Sequence, residues 1–248
     1  KQWGFFPSVS AGYRLSEEAF FEPLKDVISN GKLRASWGEI GNDNVGSNRF
    51  ISTISSIAAG SSYWISGDSK LPMANMPSLV SSDLGWERVR TLDIGLDLGF
   101  LDNRITMSAD FYYRATKDLL NFTPVPAGAN LTNYLNANIG DLKNIGVEVE
   151  LNAIAIQTKD WYWNIGANVA WNKNKITRLT NDDEAEGYYG VDTGGYSGGV
   201  GGTCQVHQTG QPTNSFYVYQ QIYDANGNPI EGLYVDRNKD GVVNEKDK

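Results

Sequence analysis

The sequence contains few of the residues from which catalytic and metal centres are usually built. Its 248 residues include one cysteine and one histidine, and an odd cysteine count excludes a complete set of internal disulfides. Cys204 and His207 are too few to complete a zinc site. The carboxylates of Glu148 and Glu150 are two residues apart, but glycosidase chemistry also needs a closed cleft around a sugar. The sequence therefore gives no reason to predict an enzyme.

Basic residues and long apolar runs are also scarce. Lys and Arg total 21 against 29 Asp and Glu, which gives a net charge of −8 and a pI near 4.7. This balance argues against a nucleic-acid partner, because such proteins need a basic surface. The mean hydropathy is −0.39, and no run is long enough for a transmembrane helix. A β-barrel disperses its apolar residues by alternation, so these values do not exclude a membrane location.

Strict alternation of apolar and polar side chains runs through long stretches of the chain. Two arms between Trp86 and Leu119, joined by a turn at residues 102–104, share one apolar face: Leu92, Ile94, Leu96, Leu98, Phe100, Ile105, Met107, Ala109, Phe111, Tyr113 and Ala115. A period of two indicates β-strands. Strands of soluble proteins usually have about five or six residues, whereas a membrane-spanning strand needs about 9 to 11. The alternation favours a membrane barrel over the alternative, a large soluble β-sandwich.

We predict an all-β fold, a segment of a large antiparallel transmembrane β-barrel with six strands in three hairpins. The strands are residues 4–15, 31–41, 86–100, 104–119, 144–157 and 160–178. We expect Ile94, Leu96, Ile105, Val149 and Val169 to face lipid, and Asp93, Asp97, Asp110, Glu148 and Asn168 to face the lumen. Outer-membrane barrels have short periplasmic turns and long outer loops. Residues 42–85, 120–143 and 179–248 are therefore predicted to be extracellular. The link 16–30 is either a helical turn capped by Ser16 or an irregular loop.

Several segments together resemble the SusC/RagA-type TonB-dependent outer-membrane transporters. They are Phe6–Glu18 (FPSVSAGYRLSEE), Lys32–Gly38 (KLRASWG), Trp86-Glu87 with Asp93–Asp97 (DIGLD), Asp110–Tyr112 with Thr116–Leu120 (TKDLL), and Asn138–Gly140 with Asn144–Glu148 (NIGVE). Each motif is weak alone, but together they are specific and extend over nearly the whole chain.

The resemblance implies an active importer of oligosaccharides or peptides in the outer membrane of a Gram-negative bacterium. It implies a SusD-like surface lipoprotein as partner, and energy supplied through TonB by way of a plug domain. Because six strands cannot close a spanning barrel, we expect residues 1–248 to be an incomplete barrel domain, without the plug and the remaining strands.

Aromatic pairs in two of the long loops are candidate ligand-binding residues. Tyr63-Trp64 and Tyr188-Tyr189 lie in polar stretches rich in Gly and Ser, where exposed rings could stack on sugars. The alternative is packing of these rings against a partner or the barrel rim.

An acidic segment near the carboxyl end matches the pattern of a calcium loop. The candidate ligands are Asp236, Asn238, Asp240, the Val242 carbonyl, Asn244 and Asp247. Gly241 permits the sharp turn that lets these oxygens converge, and hard oxygen ligands favour Ca2+ over transition metals. The preceding residues look extended, so a helix-loop-helix EF-hand is not expected. The alternative is an Asx-rich turn held by side-chain to backbone hydrogen bonds without metal.

Two other classes of function fit parts of the pattern. A passive porin or an adhesin barrel would share the strands but not a plug or a lipoprotein lid. A soluble calcium-dependent carbohydrate-binding module would share the acidic loop and remain soluble without detergent.

Overall fold

The computed structural model describes residues 3–43, 63–66, 69–72, 80–81, 84–124, 134–180, 190–196 and 202–248. The chain divides into two compact units, Lys1–Asn181 and Asp182–Lys248. The first unit contains one large sheet and a two-stranded hairpin, and the second contains two small sheets.

The first unit is built on a six-stranded antiparallel sheet, which confirms the predicted all-β barrel segment. Its strands follow the order β1, β2, β5, β6, β7, β8, so each strand pairs with the next one of the sheet along the chain. Their bounds are Ser8–Arg14 (β1), Ile28–Asn42 (β2), Glu87–Phe100 (β5), Ile105–Pro124 (β6), Tyr134–Gln157 (β7) and Tyr162–Arg178 (β8). A short hairpin, Tyr63–Ser66 (β3) with Ser69–Pro72 (β4), lies within the first long loop.

The strands differ from the predicted segments mainly at the ends that lead into the long loops. Strand β6 continues to Pro124, and strand β7 already begins at Tyr134. Both strands therefore extend into the segment 120–143 that the sequence predicts as a loop. Register shifts interrupt the β6–β7 ladder between Thr116 and Leu120, and Asp118 has a φ of 58°. Because these bulges break the alternation, the sequence pattern stops before the strands do.

The alternation sorts the side chains of the sheet into two faces, and the apolar face is exposed. Val169 and Trp171 are 72% and 57% exposed, and Ile94 and Phe111 are also exposed on this face. The buried apolar side chains of the described part of this unit lie away from the centre of the sheet: Phe21, Ile139, Ile176 and Leu179. A wall that leaves its apolar face open is what a lipid-facing sheet requires. Among the described residues, no helix is both long and apolar enough to cross a membrane.

The turn between β5 and β6 lies at residues 101–104, one residue longer than the predicted turn at residues 102–104. Leu101, Asp102 and Asn103 have φ values of 52°, 55° and 62°, which Asp and Asn tolerate better than other side chains. The Ser29 hydroxyl accepts a 2.7 Å hydrogen bond from the Asp102 amide, and this bond ties the turn to the beginning of β2.

The link between β1 and β2 contains two 3₁₀ helices, Leu15–Glu17 and Ala19–Leu24. The predicted cap at Ser16 is wrong, because Ser16 is a buried residue inside the first helix and neither N-cap makes a side-chain hydrogen bond. Phe21 is buried and covers Gly31 of β2, where an added Cβ would lie 3.1 Å from the ring. Packing of Phe21 rather than capping therefore fixes this link.

The second unit is made of short strands and turns. Val191–Gly195 (β9), Thr203–His207 (β10) and Ser215–Phe216 (β11) form one sheet with β10 in the centre. Gln221–Tyr223 (β12) pairs with Pro229–Tyr234 (β13). The carboxylate of Asp224 accepts the Asn226 and Asn228 amides at 2.8 Å and fixes the turn between β12 and β13.

The two faces of β8 allow a direct test of the predicted orientation. Val169→Arg in the full-length protein would put a guanidinium in lipid and is expected to lower the free energy of unfolding by about 2 to 4 kcal/mol. Asn168→Arg is the matched control, because residue 168 lies on the other face opposite Glu150 and should cost much less. Urea titrations of folding into bilayers measure both costs. Equal costs would contradict the assignment.

Candidate functional site

A charged cluster occupies the polar face of the sheet, which the alternation assigns to the lumen. The Arg34 guanidinium of β2 donates to both carboxylate oxygens of Asp97 at 2.8 and 2.9 Å and to Asp110 at 2.8 Å. The Ser108 hydroxyl donates to Asp97 at 2.9 Å and lies 3.2 Å from an oxygen of Asp110. These four side chains come from three neighbouring strands and form one connected network.

Gly95 makes this cluster possible. Gly95 pairs with Arg34 on one side and with Asp110 on the other, so it lies directly between them. An added Cβ at Gly95 would overlap the Asp110 carboxylate and the Arg34 guanidinium. The absence of a side chain on β5 therefore lets the arginine cross that strand. The sequence places these residues on one face but does not reveal their contacts.

A second crossing of the same kind occurs between β6 and β7. Tyr112 is paired with Gly146, and an added Cβ at Gly146 would collide with the Tyr112 ring. The Arg114 guanidinium carbon lies 5.9 Å from the centre of the same ring. An aromatic ring that covers a glycine on the next strand restores the contact area that the glycine lacks.

The other lumen carboxylates do not form a catalytic arrangement. Glu148 pairs with Asp110 and Glu150 pairs with Ser108 in the ladder, and both glutamates are exposed. Glu150 accepts a 2.8 Å hydrogen bond from the Asn152 amide. The geometry supports a hydrated, hydrogen-bonded wall.

The predicted calcium ligands form a compact loop after β13. The Asp236 carboxylate accepts the Lys239 and Gly241 amides at 2.6 and 2.8 Å. The Asn238 carbonyl oxygen accepts the Asp240 amide at 2.9 Å, and Asp240 accepts the Val242 amide at 2.9 Å. Gly241 has a φ of 87°, which provides the sharp turn. These are the side-chain to backbone bonds of the Asx-turn interpretation.

Asp247 closes the loop. Its carboxylate accepts the Arg237 and Asn238 amides at 2.8 and 3.2 Å and the Asn244 amide at 2.9 Å, and the residue is fully buried. The amide of Asn244 and then those of Asn238 and Arg237 stabilise the anion and lower the pKa of Asp247 below its ordinary value. The pKa of Asp247 is lower in the folded state than in the unfolded state. These hydrogen bonds therefore contribute their full stabilisation above about pH 4, and that stabilisation is lost as the pH falls through the folded-state pKa.

The donor set has the chemistry that calcium prefers, but the oxygens have other partners in this arrangement. The Val242 carbonyl accepts the Asn244 side-chain amide at 3.2 Å, and Asn244 accepts the Lys246 amide at 2.9 Å. In the part of the chain that the structure describes, no three His, Cys, Asp or Glu side chains converge as metal ligands. The calcium site therefore stays a prediction.

The remaining candidates from the sequence do not come together. The Cys204 thiol donates to the Gly194 carbonyl at 3.2 Å, whereas the His207 ring lies 3.0 Å from the Asn214 side-chain oxygen. Tyr63 and Trp64 lie in β3. Their side chains, and all of Tyr188 and Tyr189, are outside the described residues, so the aromatic ligand site stays a prediction.

Sequence reasoning missed a cluster beside the acidic loop. The Tyr217 hydroxyl donates to the Glu245 carbonyl at 2.9 Å, and the Tyr219 hydroxyl donates to the Glu245 carboxylate at 3.1 Å. The Lys248 ammonium lies 5.6 and 5.0 Å from the centres of these two rings and pairs with Glu245 at 2.5 Å. Lys248 and then Tyr219 lower the pKa of Glu245. The only sequence signal is the spacing of the two tyrosines, which places both on one side of an extended segment.

Comparison with known proteins agrees with this architecture. The family model for TonB-dependent receptor-like β-barrels matches residues 1–237. The chain belongs to the TonB-dependent receptor β-barrel family. It is 40% identical over 248 residues to the TonB-dependent receptor SusC of Bacteroides thetaiotaomicron, covering 100% of this chain and 24% of that protein. It is 30% identical over 240 residues to the TonB-dependent receptor P3 of Formosa agariphila, covering 93% and 22%.

A solved structure supports the fold. The RagAB peptide importer in its open-open state superimposes with a TM-score of 0.70 and 23% identity, covering 93% of this chain and 24% of that one. The chain thus spans about a quarter of the length of these relatives. The resemblance to SusC/RagA-type barrels is confirmed, as is the prediction that the chain is not an enzyme. TonB-dependent receptors of this type are outer-membrane β-barrels.

Gly95→Ala is a sharp test of the lumen cluster. The added methyl would push Arg34 away from Asp110 and leave part of the network unpaired, at a cost of about 1 to 3 kcal/mol in the free energy of unfolding. Gly12→Ala is the control, because its Cβ would meet the flexible end of Lys32 at 3.1 Å and backbone only at 3.9 Å, an ordinary contact distance. Urea unfolding of the full-length barrel measures both. If the Gly95→Ala cost persists unchanged in an Arg34→Met background, the clash with the arginine is not its cause.

Proposed function

We propose that this chain forms part of the wall of an active outer-membrane importer that takes up oligosaccharides or peptides. The observation that carries the proposal is the 40% identity to the receptor SusC over the whole chain, on a sheet with one exposed apolar face and one polar face. The RagAB complex, which shares the fold, is a peptide importer, and that substrate class is included for this reason.

The partners follow from the same proposal. A SusD-like lipoprotein covers the barrel from outside, and TonB supplies energy through the plug region of the whole protein. The long loops 42–85, 120–143 and 179–248 are extracellular and meet the lipoprotein and its substrate, through rings such as Tyr63, Trp64, Tyr188 and Tyr189. The short turns at residues 101–104 and 158–161 support this orientation, because outer-membrane barrels place their short turns in the periplasm.

A passive porin or adhesin is less well supported. The family to which the chain belongs is named for TonB dependence, which neither alternative requires. The exposed apolar face of the long sheet argues against a soluble carbohydrate-binding module, since such a surface would aggregate in water.

Uptake assays on cells that express the full-length protein test the proposal. Cells should take up a labelled oligosaccharide or peptide mixture against a gradient. Uptake should stop when TonB is deleted, and should fall when the partner lipoprotein is deleted. Uptake that persists without TonB at the same rate would indicate a passive pore. The mixture component that is depleted identifies the substrate class.

Calcium at the acidic loop is a separate element of the proposal. Three carboxylates, two side-chain amides and one carbonyl supply hard oxygen ligands, and bonds from Gly241 and Lys239 already hold Asp236 in position. A bound ion would fix this loop at the edge of the second unit.

Calorimetry on the intact protein tests the calcium site. Millimolar calcium should release heat, and Asp236→Ala and Asp240→Ala should each abolish it because each removes a ligand. Asp224→Ala is the control, since Asp224 is an exposed turn carboxylate outside the loop. The absence of heat in the unmodified protein, or heat that both loop variants retain, would contradict the site.

A further inference from the structure

The apolar, lipid-facing side of the sheet carries a concentration of positive charge at the end nearest the long loops. Seven cationic side chains form what we call the basic belt: Arg88, Arg90, Lys117, Lys143, Lys173, Lys175 and Arg178. In the ladder, Arg90 is followed across the sheet by Ala115, Lys143 and Lys175. One row nearer the loops, Arg88 pairs with Lys117. Neither the lumen network nor the import proposal accounts for these residues.

The register shows that the belt belongs to the lipid-facing side. The row next to it, away from the loops, begins with Trp37, Leu92 and Tyr113, continues to Ile145 and ends at Lys173. Successive rows on one face are two residues apart, which is about 7 Å. Six of the seven cations therefore lie directly beyond the apolar band, on the side of the long loops, and Lys173 lies at the end of its last row.

The rings of Trp37 and Tyr113 fix the level of the belt in a membrane. They are 40% and 39% exposed, and Trp171 lies one row further from the loops. Tyr and Trp are enriched at the boundary between hydrocarbon and headgroups. A row of cations just beyond such rings is at the depth of the headgroups.

Two carboxylates lie within the belt, and each is shared between two cations. Glu39 accepts from Arg90 at 2.8 Å and from Arg88 at 3.4 Å. Asp141 accepts from Lys117 at 2.7 Å and from Arg178 at 3.5 Å. The side chains of Glu39 and Asp141 are 8% and 9% exposed, whereas the four cationic side chains are 43% to 53% exposed. The acids thus hold the cations from beneath and leave their outer surfaces open.

Three lysines complete the excess of charge. Among the described residues, no ion pair is formed by Lys143, Lys173 or Lys175, and the last two are exposed. The belt therefore has seven cations and two anions in a chain whose net charge is −8. At the opposite end of the same face the corresponding row is Phe100, Ile105, Ala153 and Ile165, which is wholly uncharged.

We propose that the basic belt binds the phosphate groups of the glycolipid in the outer leaflet of the outer membrane. Arginine and lysine recognise phosphate by charge and by hydrogen bonds, and a basic surface near anionic headgroups gains about 1 kcal/mol per cation. The one-sided distribution matches the leaflet that the loop end would meet. The inference rests on the proposed outer-membrane orientation.

Reconstitution of the full-length protein tests the belt. The protein is placed in nanodiscs of phosphatidylcholine with a minor fraction of phosphorylated lipid A, and the lipid retained around it after detergent exchange is quantified by mass spectrometry. We expect retained lipid A to exceed its bulk fraction, and Lys143→Gln, Lys173→Gln and Lys175→Gln together to lower that enrichment about tenfold or more. None of these lysines forms an ion pair among the described residues, so the barrel should fold.

The control variant neutralises three lysines outside the belt, Lys25, Lys32 and Lys159, and should retain the enrichment. Lipid A without phosphates should not be enriched, and rising salt should reduce the signal. Equal enrichment of the dephosphorylated lipid, or full enrichment by the belt variant, would overturn the proposal. Enrichment of phosphatidylglycerol to the same extent would overturn the glycolipid as the specific ligand.

Two further measurements separate failure of the belt from failure of the import proposal. Labelling of a Tyr188→Cys variant by an impermeant reagent on intact cells reports orientation. TonB-dependent uptake reports function. Lost lipid enrichment with both of these intact would count against the belt alone.

Discussion

Backbone hydrogen bonding in hydrocarbon is the constraint on which the rest of this structure depends. Lipid cannot satisfy an amide or a carbonyl, so a strand that crosses it must pair along both edges. The sheet meets this demand through long ladders between consecutive strands, and the strand period then gives each face a separate environment. Everything else, from the lumen network to the basic belt, depends on which of the two faces a residue occupies.

The strands and their faces could be predicted because alternation is a local signal. The apolar and polar sets along β5 and β8 are legible without any knowledge of partners. The loop-side ends of β6 and β7 could not be predicted, because bulges between Thr116 and Leu120 shift the pattern and pairing across the two strands sustains the structure there. The hairpin of β3 and β4 is too short to stand out in a sequence.

The candidate sites divide in the same way. The acidic loop could be predicted from the sequence, including the alternative in which Asx side chains bind the backbone, because most of its contacts join residues only a few positions apart. Only part of the Arg34 network could be predicted. The alternation of apolar and polar residues shows which face each side chain occupies, but the hydrogen-bond partners depend on Gly95 lying between Arg34 and Asp110 across three strands. The belt requires the full register, since its residues are separated by up to 90 positions, from Arg88 to Arg178.

The crossing of Gly95 by Arg34 gives the sheet a means of distinguishing correct from incorrect pairing as the barrel assembles. A shift of one residue in β2 would turn the guanidinium toward hydrocarbon, where a charge is costly. A shift of two residues would keep it on the polar face but place it beside a different residue of β5, away from the gap that glycine leaves. A segment shifted by two residues would place Arg34 opposite Asp93 or Asp97 and would lose the space through which the arginine reaches Asp110 across β5. The Arg34 contacts with both aspartates thus form together only in the native register, because only there does Gly95 leave room for the arginine side chain.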